Sequence, residues 1–298
     1  MVTIIHSNLC TSPFLGGYNI VESEVLHIMD IKELQNHATN IRKNIIKMIA
    51  NANSGHAGGS LSSADILTVL YFEEMNISKE NLKGVDRDRF VLSKGHASPL
   101  LYSTLCEKGF LNEEDLLTFR KINSPLQGHP NMNYVDGVDM STGSLGQGIS
   151  AAVGMALSNK TDNNDHRVYA LLGDGECEEG QVWEAAMAAA HYKLDNLCAI
   201  VDFNGLQIDG DIKKVMNPTP IDTKFKAFGW NVITIHGHDF KEIEKAFEEA
   251  RNTKGKPTMI LARTVKGKGV SFMENNAGWH GTAPNKEQCE NALRELGD

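Results

Sequence analysis

Asp174 and Asn204 are the residues of this chain whose types and spacing point most directly to chemistry. An apolar run, Val168 to Leu172, leads straight into Gly173-Asp174-Gly175. A helix-like segment follows, and a second apolar run, Leu197 to Phe203, ends at Asn204. The pattern reads strand, acidic turn, helix, strand, polar turn. In a right-handed βαβ unit both turns fall at the same carboxyl edge of a parallel sheet, which predicts Asp174 and Asn204 side by side. A carboxylate and an amide oxygen at that edge suit a hard divalent cation such as Mg²⁺, which keeps waters and binds phosphates. Gly175 lets the backbone approach a diphosphate closely, and the helix N-terminus behind it favours anions. The competing reading is two tight turns of an unrelated α/β protein, since Gly-Asp-Gly is also an ordinary turn.

Histidines gather in loops of similar make-up. His56, His96, His129 and His280 each sit beside glycine, in Ser54-Gly55-His56, Lys94-Gly95-His96, Gln127-Gly128-His129-Pro130 and Trp279-His280-Gly281. Glycine frees the backbone to bring an imidazole into a cleft. Imidazoles donate to diphosphate and sugar hydroxyls and shuttle protons near neutral pH. One such histidine is usually a satisfied loop residue; four beside a phosphate-and-metal turn suggest a shared site. A zinc centre is the rival, but no two histidines have ligand spacing such as HxxxH with a carboxylate in reach.

The elements that must position these residues alternate. Residues 1–28 mix Pro, Gly, Ser and short apolar runs without helical period, and read as an extension. Met29-Asp30 opens an amphipathic helix with Ile31, Leu34, Ala38, Ile41, Ile45, Met48 and Ile49 on one stripe. A second helix is expected from about Ser62 to Met75, capped by Ser62 or Ser63, and a short buried strand over Arg89 to Ser93. Asn112 to Lys121 reads as a helix capped by Asn112. Gly146 to Leu157 is rich in small residues and should pack closely. Asn231 to Ile235 and Thr258 to Ala262 read as strands around a helix Phe240 to Asn252, and Lys286 to Leu296 as a final helix. The expected fold class is α/β, a mostly parallel sheet with helices on both faces, forming one domain over 29–298.

Composition excludes several classes. The chain has 298 residues, a formal net charge of −9 and 41% hydrophobic content. That balance argues against nucleic-acid and polybasic membrane partners. Cys10, Cys106, Cys177, Cys198 and Cys289 are scattered and form no CxxC pair, as expected of reduced thiols in a cytoplasmic protein. No apolar run approaches the ~20 residues of a membrane span, and the N-terminus lacks signal-peptide character.

The strand-GDG-helix-strand-Asn unit resembles the thiamin diphosphate motif. More of the chain resembles the N-terminal, diphosphate-binding part of transketolase: SGHAGGSLSSADILTVLYF, DRFVLSKGHASPLLYS, PLQGHPN, STGSLGQGISAAVGMALS, DFNGLQIDG and GKGVSFMEN…WHG, in order, over roughly residues 31–290. The resemblance implies thiamin diphosphate and Mg²⁺ (or Ca²⁺ or Mn²⁺) as cofactors. Asp174 and Asn204 would ligate the metal with the Leu206 carbonyl. Gly175 and Asn204 would contact the diphosphate, helped by His96 and His280. Leu145 and Ile208 would flank the thiazolium ring, and Gly143 would present backbone to the aminopyrimidine. His56, His129 and His280, with His96, would line the donor-sugar end as catalytic residues. Glu179 resembles the family's acidic residue at a subunit interface; its alternative is a helix N-terminal carboxylate. Gly205 and Gln207 either face the site or shape the turn. Lys268 either neutralises a phosphate or, like Lys266, is solvated, and Trp279 closes the site or packs.

A transketolase also needs a pyrimidine-binding domain, for which this sequence shows no counterpart. The resemblance therefore implies the N-terminal subunit of a split transketolase. It is expected to be inactive alone and to assemble with a C-terminal subunit, as α2β2, to move a two-carbon ketol unit between sugar phosphates. The rivals are subunits resembling 1-deoxyxylulose-5-phosphate synthase or a 2-oxoacid dehydrogenase, and a non-catalytic binding protein that keeps the fold.

Overall fold

Five apolar runs with β-branched residues pair side by side in a computed structural model that describes residues 29–297. They are β1 (Arg89–Leu92), β2 (Val168–Gly173), β3 (Leu197–Phe203), β6 (Asn231–His236) and β7 (Thr258–Arg263), in the order β1-β2-β3-β7-β6. All four pairings are parallel. A two-stranded antiparallel hairpin, β4 (Leu206–Gln207) with β5 (Gly210–Asp211), follows β3. The extension over 1–28, with Cys10, lies outside the described residues.

Side chains alternate across the sheet, and two apolar layers result. Tyr169, Leu171, Cys198 and Ile200 face one layer, shared with helices Ile31–Ala52, Ser98–Glu107 and Phe240–Asn252. Val168, Ala170, Leu197 and Ala199 face the other, shared with helices Gln147–Thr161, Gly180–His191 and Ile221–Ala227. Burial on both faces is why β2 and β3 read as continuous apolar runs, and why parallel pairing is stable here. Helix Ile31–Ala52 buries its stripe of Leu34, Ala38, Ile41, Ile45, Met48 and Ile49; Asp30 caps its start, and Asn53, at φ 47°, ends it.

Two expected helices differ. The second begins at Ala57, is interrupted at Ser62 and Ser63, resumes over Ala64–Val69 and widens into a π-helical turn at Leu70–Glu74. Neither serine caps it, because both hydroxyls are engaged in a buried ion pair described below. The helix after Asn112 is only Glu113–Leu116, because burial of Phe119 and the left-handed Arg120, φ 59°, turn the chain away.

The parallel arrangement sends every carboxyl strand end to one edge. β1 runs into Lys94 and His96, β2 into Asp174, β3 into Asn204, β6 into His238 and β7 into Lys266. Ligands of open α/β sheets bind at this edge.

Candidate active site

Register brings the two turns of the GDG–Asn unit together. Gly173 pairs with Asp202, so the residues just beyond meet. Asp174 bridges the turns: one carboxylate oxygen accepts from the Gly175 N–H at 2.8 Å and the other from the Gly205 N–H at 2.6 Å. Gly205 takes the left-handed φ of 79° that this approach needs. The Asn204 side-chain oxygen accepts from the Leu206 N–H at 3.1 Å, and the Leu206 carbonyl accepts from Lys266 Nζ at 3.1 Å.

These groups open into a cleft of about 360 Å³. His56, His96, His129, Gly143, Leu145, Asp174, Gly175, Asn204, Leu206, Ile208 and His280 all line it, as do Glu179 and Gln207. His56, His96 and His280 form a triangle with ring centroids 5.2–5.4 Å apart. Gly143, at φ 145°, backs onto His129, whose ring carbons would lie 2.9 Å from any Cβ there. Ile208 stands exposed at the tip of the β4–β5 hairpin. Glu179 is exposed just before helix Gly180–His191. Gly205 shapes the turn, and Trp279 packs edge-on against Phe272; neither lines the cleft.

The two lysines of the TVKGKGV segment part company. Lys266 is buried in the cleft, contrary to its reading as a solvated loop residue. Lys268 lies outside it, half-exposed, paired with Glu274 at 3.2 Å.

Beneath the cleft floor is an arrangement that pattern reading missed. Lys94 Nζ donates to Asp202 at 2.7 Å, to the Gly59 carbonyl at 2.8 Å and to the Ser63 hydroxyl at 2.8 Å. Asp202 also accepts from Ser62 at 2.6 Å, from the Thr264 hydroxyl, and from the Asn204 amide at 3.1 Å. Because the Asn204 NH₂ group is held by Asp202, its oxygen is turned toward Leu206. The sequence carried one signal of this: Asp202 interrupts an apolar strand, and a buried charge demands a partner. Glu176 is a second omission. Buried, it accepts from Ser93, from the Gly146 N–H at 2.9 Å and from the Gly173 N–H at 3.0 Å, tying three cleft loops together.

Electrostatics follow from this packing. Burial, then the neighbouring Asp202, push the Asp174 carboxyl up to about 6. Burial raises Asp202 too, but Lys94 and its hydrogen bonds outweigh that and hold it down to about 2. Burial lowers the Lys266 ammonium to about 8. It also depresses His56 to about 4 and His280 to about 3, and takes His96 well below its ordinary value. The imidazoles are therefore neutral at pH 7, each with one donor and one acceptor nitrogen.

Such a cleft suits an anion carrying a divalent cation. The Nδ1 atoms of His56 and His280 are buried without a hydrogen-bond partner. Buried polar atoms are normally satisfied, so these two await a ligand. Asp174, Asn204 and the Leu206 carbonyl offer three hard oxygen ligands of two chain turns, each with a lone pair to spare. No group of three or more His, Cys, Asp or Glu side chains able to hold a metal occurs among the described residues, so a softer metal site has no support there.

Residues 34–298 match the family described as transketolase, thiamine diphosphate binding domain. The chain is 43% identical over 270 residues to one of the subunits of the apulose-4-phosphate transketolase of Phocaeicola vulgatus, covering 91% of this chain and 96% of that protein. It is 45% identical over 264 residues to a 6-deoxy-6-sulfo-D-fructose transketolase subunit of a Clostridium species, covering 89% and 96%. Its fold matches the crystal structure of Campylobacter jejuni transketolase with a TM-score of 0.85 at 39% identity, over 90% of this chain but 43% of that one. Human transketolase is 43% identical over 268 residues, which are 42% of its length. The chain thus spans nearly all of the two relatives named as subunits and under half of the length of the two transketolases. It is a member of the transketolase family of transferases, and the domain it carries is that family's thiamine diphosphate binding domain.

Proposed function

We propose that this chain is the cofactor-binding subunit of a two-polypeptide transketolase. It holds thiamin diphosphate with Mg²⁺ and, with a C-terminal partner subunit in an α2β2 assembly, transfers a two-carbon ketol unit from a ketose to an aldose. The observation that carries this is the convergence of Asp174, Asn204 and the Leu206 carbonyl with Lys266, His96 and His280 in one cleft. The near-complete alignment with two subunit-type relatives supports the two-polypeptide form. Those relatives are named for different sugars, so the donor is left as a ketose, phosphorylated or otherwise substituted.

Bound thiamin diphosphate supplies the electron sink for carbon–carbon cleavage. The chain's own residues have separate tasks. Asp174, Asn204 and the Leu206 carbonyl hold the cation, and Lys266 adds positive charge for the phosphates. The Gly175 backbone lets the phosphates approach, while Gly205 shapes the turn that carries Asn204. Leu145 and Ile208 give apolar contact to the ring system, and Gly143 offers backbone to it. His56, His96, His129 and His280, being neutral, both donate to and accept from sugar hydroxyls and carry protons there. Glu179, exposed beside the cleft, is available to the facing subunit.

The test is a coupled ketol-transfer assay with thiamin diphosphate and Mg²⁺, run on the chain alone and with the product of the adjacent reading frame. Activity in the mixture only is the expected result. Activity of the chain alone would overturn the two-polypeptide form. Failure of the mixture to bind thiamin diphosphate would overturn the cofactor assignment.

A further inference from the structure

Outside the cleft, behind the segment that carries Lys266, lies a second buried polar cluster. Asp65, on helix Ala64–Val69, receives a two-pronged contact from Arg42 on helix Ile31–Ala52, at 2.8 and 2.7 Å. His238, just past β6, meets the same carboxylate with Nδ1 at 2.7 Å. Its other ring nitrogen, Nε2, accepts from the Val265 N–H at 2.9 Å. A backbone N–H can only donate, so Nε2 bears the lone pair and the ring proton resides on Nδ1, donated to Asp65. Arg42 reaches on through Nε to the Lys268 carbonyl at 3.1 Å.

The segment between these anchors is short. Val265 is held at its N–H, Lys268 at its carbonyl, and Gly267 donates to the Gly58 carbonyl at 3.0 Å. Lys266 lies between them, its ammonium in the cleft 3.1 Å from the Leu206 carbonyl. Burial raises the Asp65 carboxyl, but Arg42 and the His238 hydrogen bond outweigh it and hold it at about 2, so the anchor stays anionic at neutral pH.

We propose that His238 is a positioning residue for the cofactor cleft: by accepting the Val265 N–H at Nε2 it fixes one end of the Val265–Lys268 segment, whose other end Arg42 holds, and thereby aims Lys266. The link to the cofactor rests on the function proposed above; the link to the segment does not. His238 touches neither substrate nor cofactor. What it contributes is one acceptor atom at one place, which can be tested atom by atom. Glutamine can present its oxygen where Nε2 stands, whereas asparagine can replace only Nδ1.

Two measurements on the full chain, the second with its partner subunit, decide the matter. The first is amide hydrogen exchange over residues 264–270 in the wild type, His238→Gln and His238→Asn. The second is thiamin diphosphate affinity in the presence of Mg²⁺, together with kcat at saturating cofactor. His238→Asn is expected to speed exchange in this segment and weaken cofactor binding about five- to tenfold, the effect of losing one buried hydrogen bond, with kcat little changed. His238→Gln is expected to restore both. Exchange unchanged in His238→Asn would overturn the proposal. So would faster exchange with cofactor affinity intact, and so would Gln and Asn behaving alike, which would mark a role in packing alone. If the wild type bound no thiamin diphosphate, the functional reading would fall, and the exchange comparison would still decide whether His238 holds the segment.

Discussion

Lys94 and Asp202 form an ion pair with Nζ and Oδ2 2.7 Å apart, each side chain 1% exposed, directly beneath the Asn204 amide. A charge pair so deeply buried contributes little net stability against an apolar substitute, but breaking it strands a charge. Here the pair also has a local role: Ser62, Ser63, the Gly59 carbonyl and Thr264 complete its hydrogen bonds, and Asn204 is oriented by it.

Lys94→Met should therefore destabilise the chain by about 3–5 kcal/mol, as for other buried pairs missing one partner. Replacing both, as Lys94→Met with Asp202→Leu, should recover much of that loss yet leave metal-dependent cofactor binding impaired, because Asn204 loses its orienting acceptor. Urea unfolding and cofactor titration on the two variants check this. Full binding in the stable double variant would show that Asn204 needs no such support.

Asp174→Asn separates stability from binding. The folded carboxyl lies at about 6, above its ordinary 3.8, so between these values the folded state binds more protons than the unfolded one. Stability from this group therefore falls as pH rises through that window, and its ionised form is a cost at pH 7. The substitution removes that charge while forfeiting one acceptor, so unfolding free energy should change by less than about 1 kcal/mol. Binding of thiamin diphosphate with Mg²⁺ should fall by more than the roughly 10–100-fold typical of outer partners of a metal site. A large loss of stability with binding retained would make Asp174 a structural residue.

Much of this was legible beforehand because apolar pattern and turn chemistry are local. β3 and the helix Phe240–Asn252 fall where the sequence put them, and the opening of the first helix at Met29-Asp30 and the Asp174–Asn204 edge follow from strand, helix and turn spacing. The cleft histidines were legible through their glycines. What stayed hidden was set by contacts far apart in sequence. Ser62 and Ser63 look like caps, and only the fold shows their hydroxyls drawn to Asp202 and Lys94. Lys266 and Lys268 are indistinguishable in a glycine-rich segment until packing buries one and exposes the other.

The cleft histidines predict an acid-sensitive fold. An unfolded histidine takes a proton near 6.5, whereas His56 resists to about 4 and His280 to about 3, because burial disfavours the charged ring, reinforced by Arg120 at His56 and by Lys266 at His280. Within these windows the unfolded state binds more protons, so stability present above 6.5 is lost as pH falls. The urea midpoint should decline from about pH 6.5 to about pH 4.5, and a His56→Gln, His280→Gln variant should decline less steeply. Equal slopes would mean that neither ring is held neutral by the fold.

Lys266 and Lys268 offer the sharpest contrast, since only Gly267 separates them. Lys268 makes a half-exposed pair with Glu274, of a kind that contributes about 0–1 kcal/mol and weakens with salt. Lys266 points its ammonium to the Leu206 carbonyl inside a cleft that also holds Asp174 and Asp202. Losing it removes a charge-assisted contact to any bound phosphate, worth about 1.5–3 kcal/mol, or roughly 10–150-fold in affinity. Lys268→Met should leave thiamin diphosphate binding within about twofold of wild type, well under 1.4 kcal/mol. Lys266→Met should weaken it by the larger factor without a matching drop in melting temperature, because the buried ammonium is itself disfavoured by desolvation. Isothermal titration of both variants with thiamin diphosphate and Mg²⁺, beside their thermal unfolding, reads the difference. Equal effects at the two positions would place the phosphates elsewhere in the cleft.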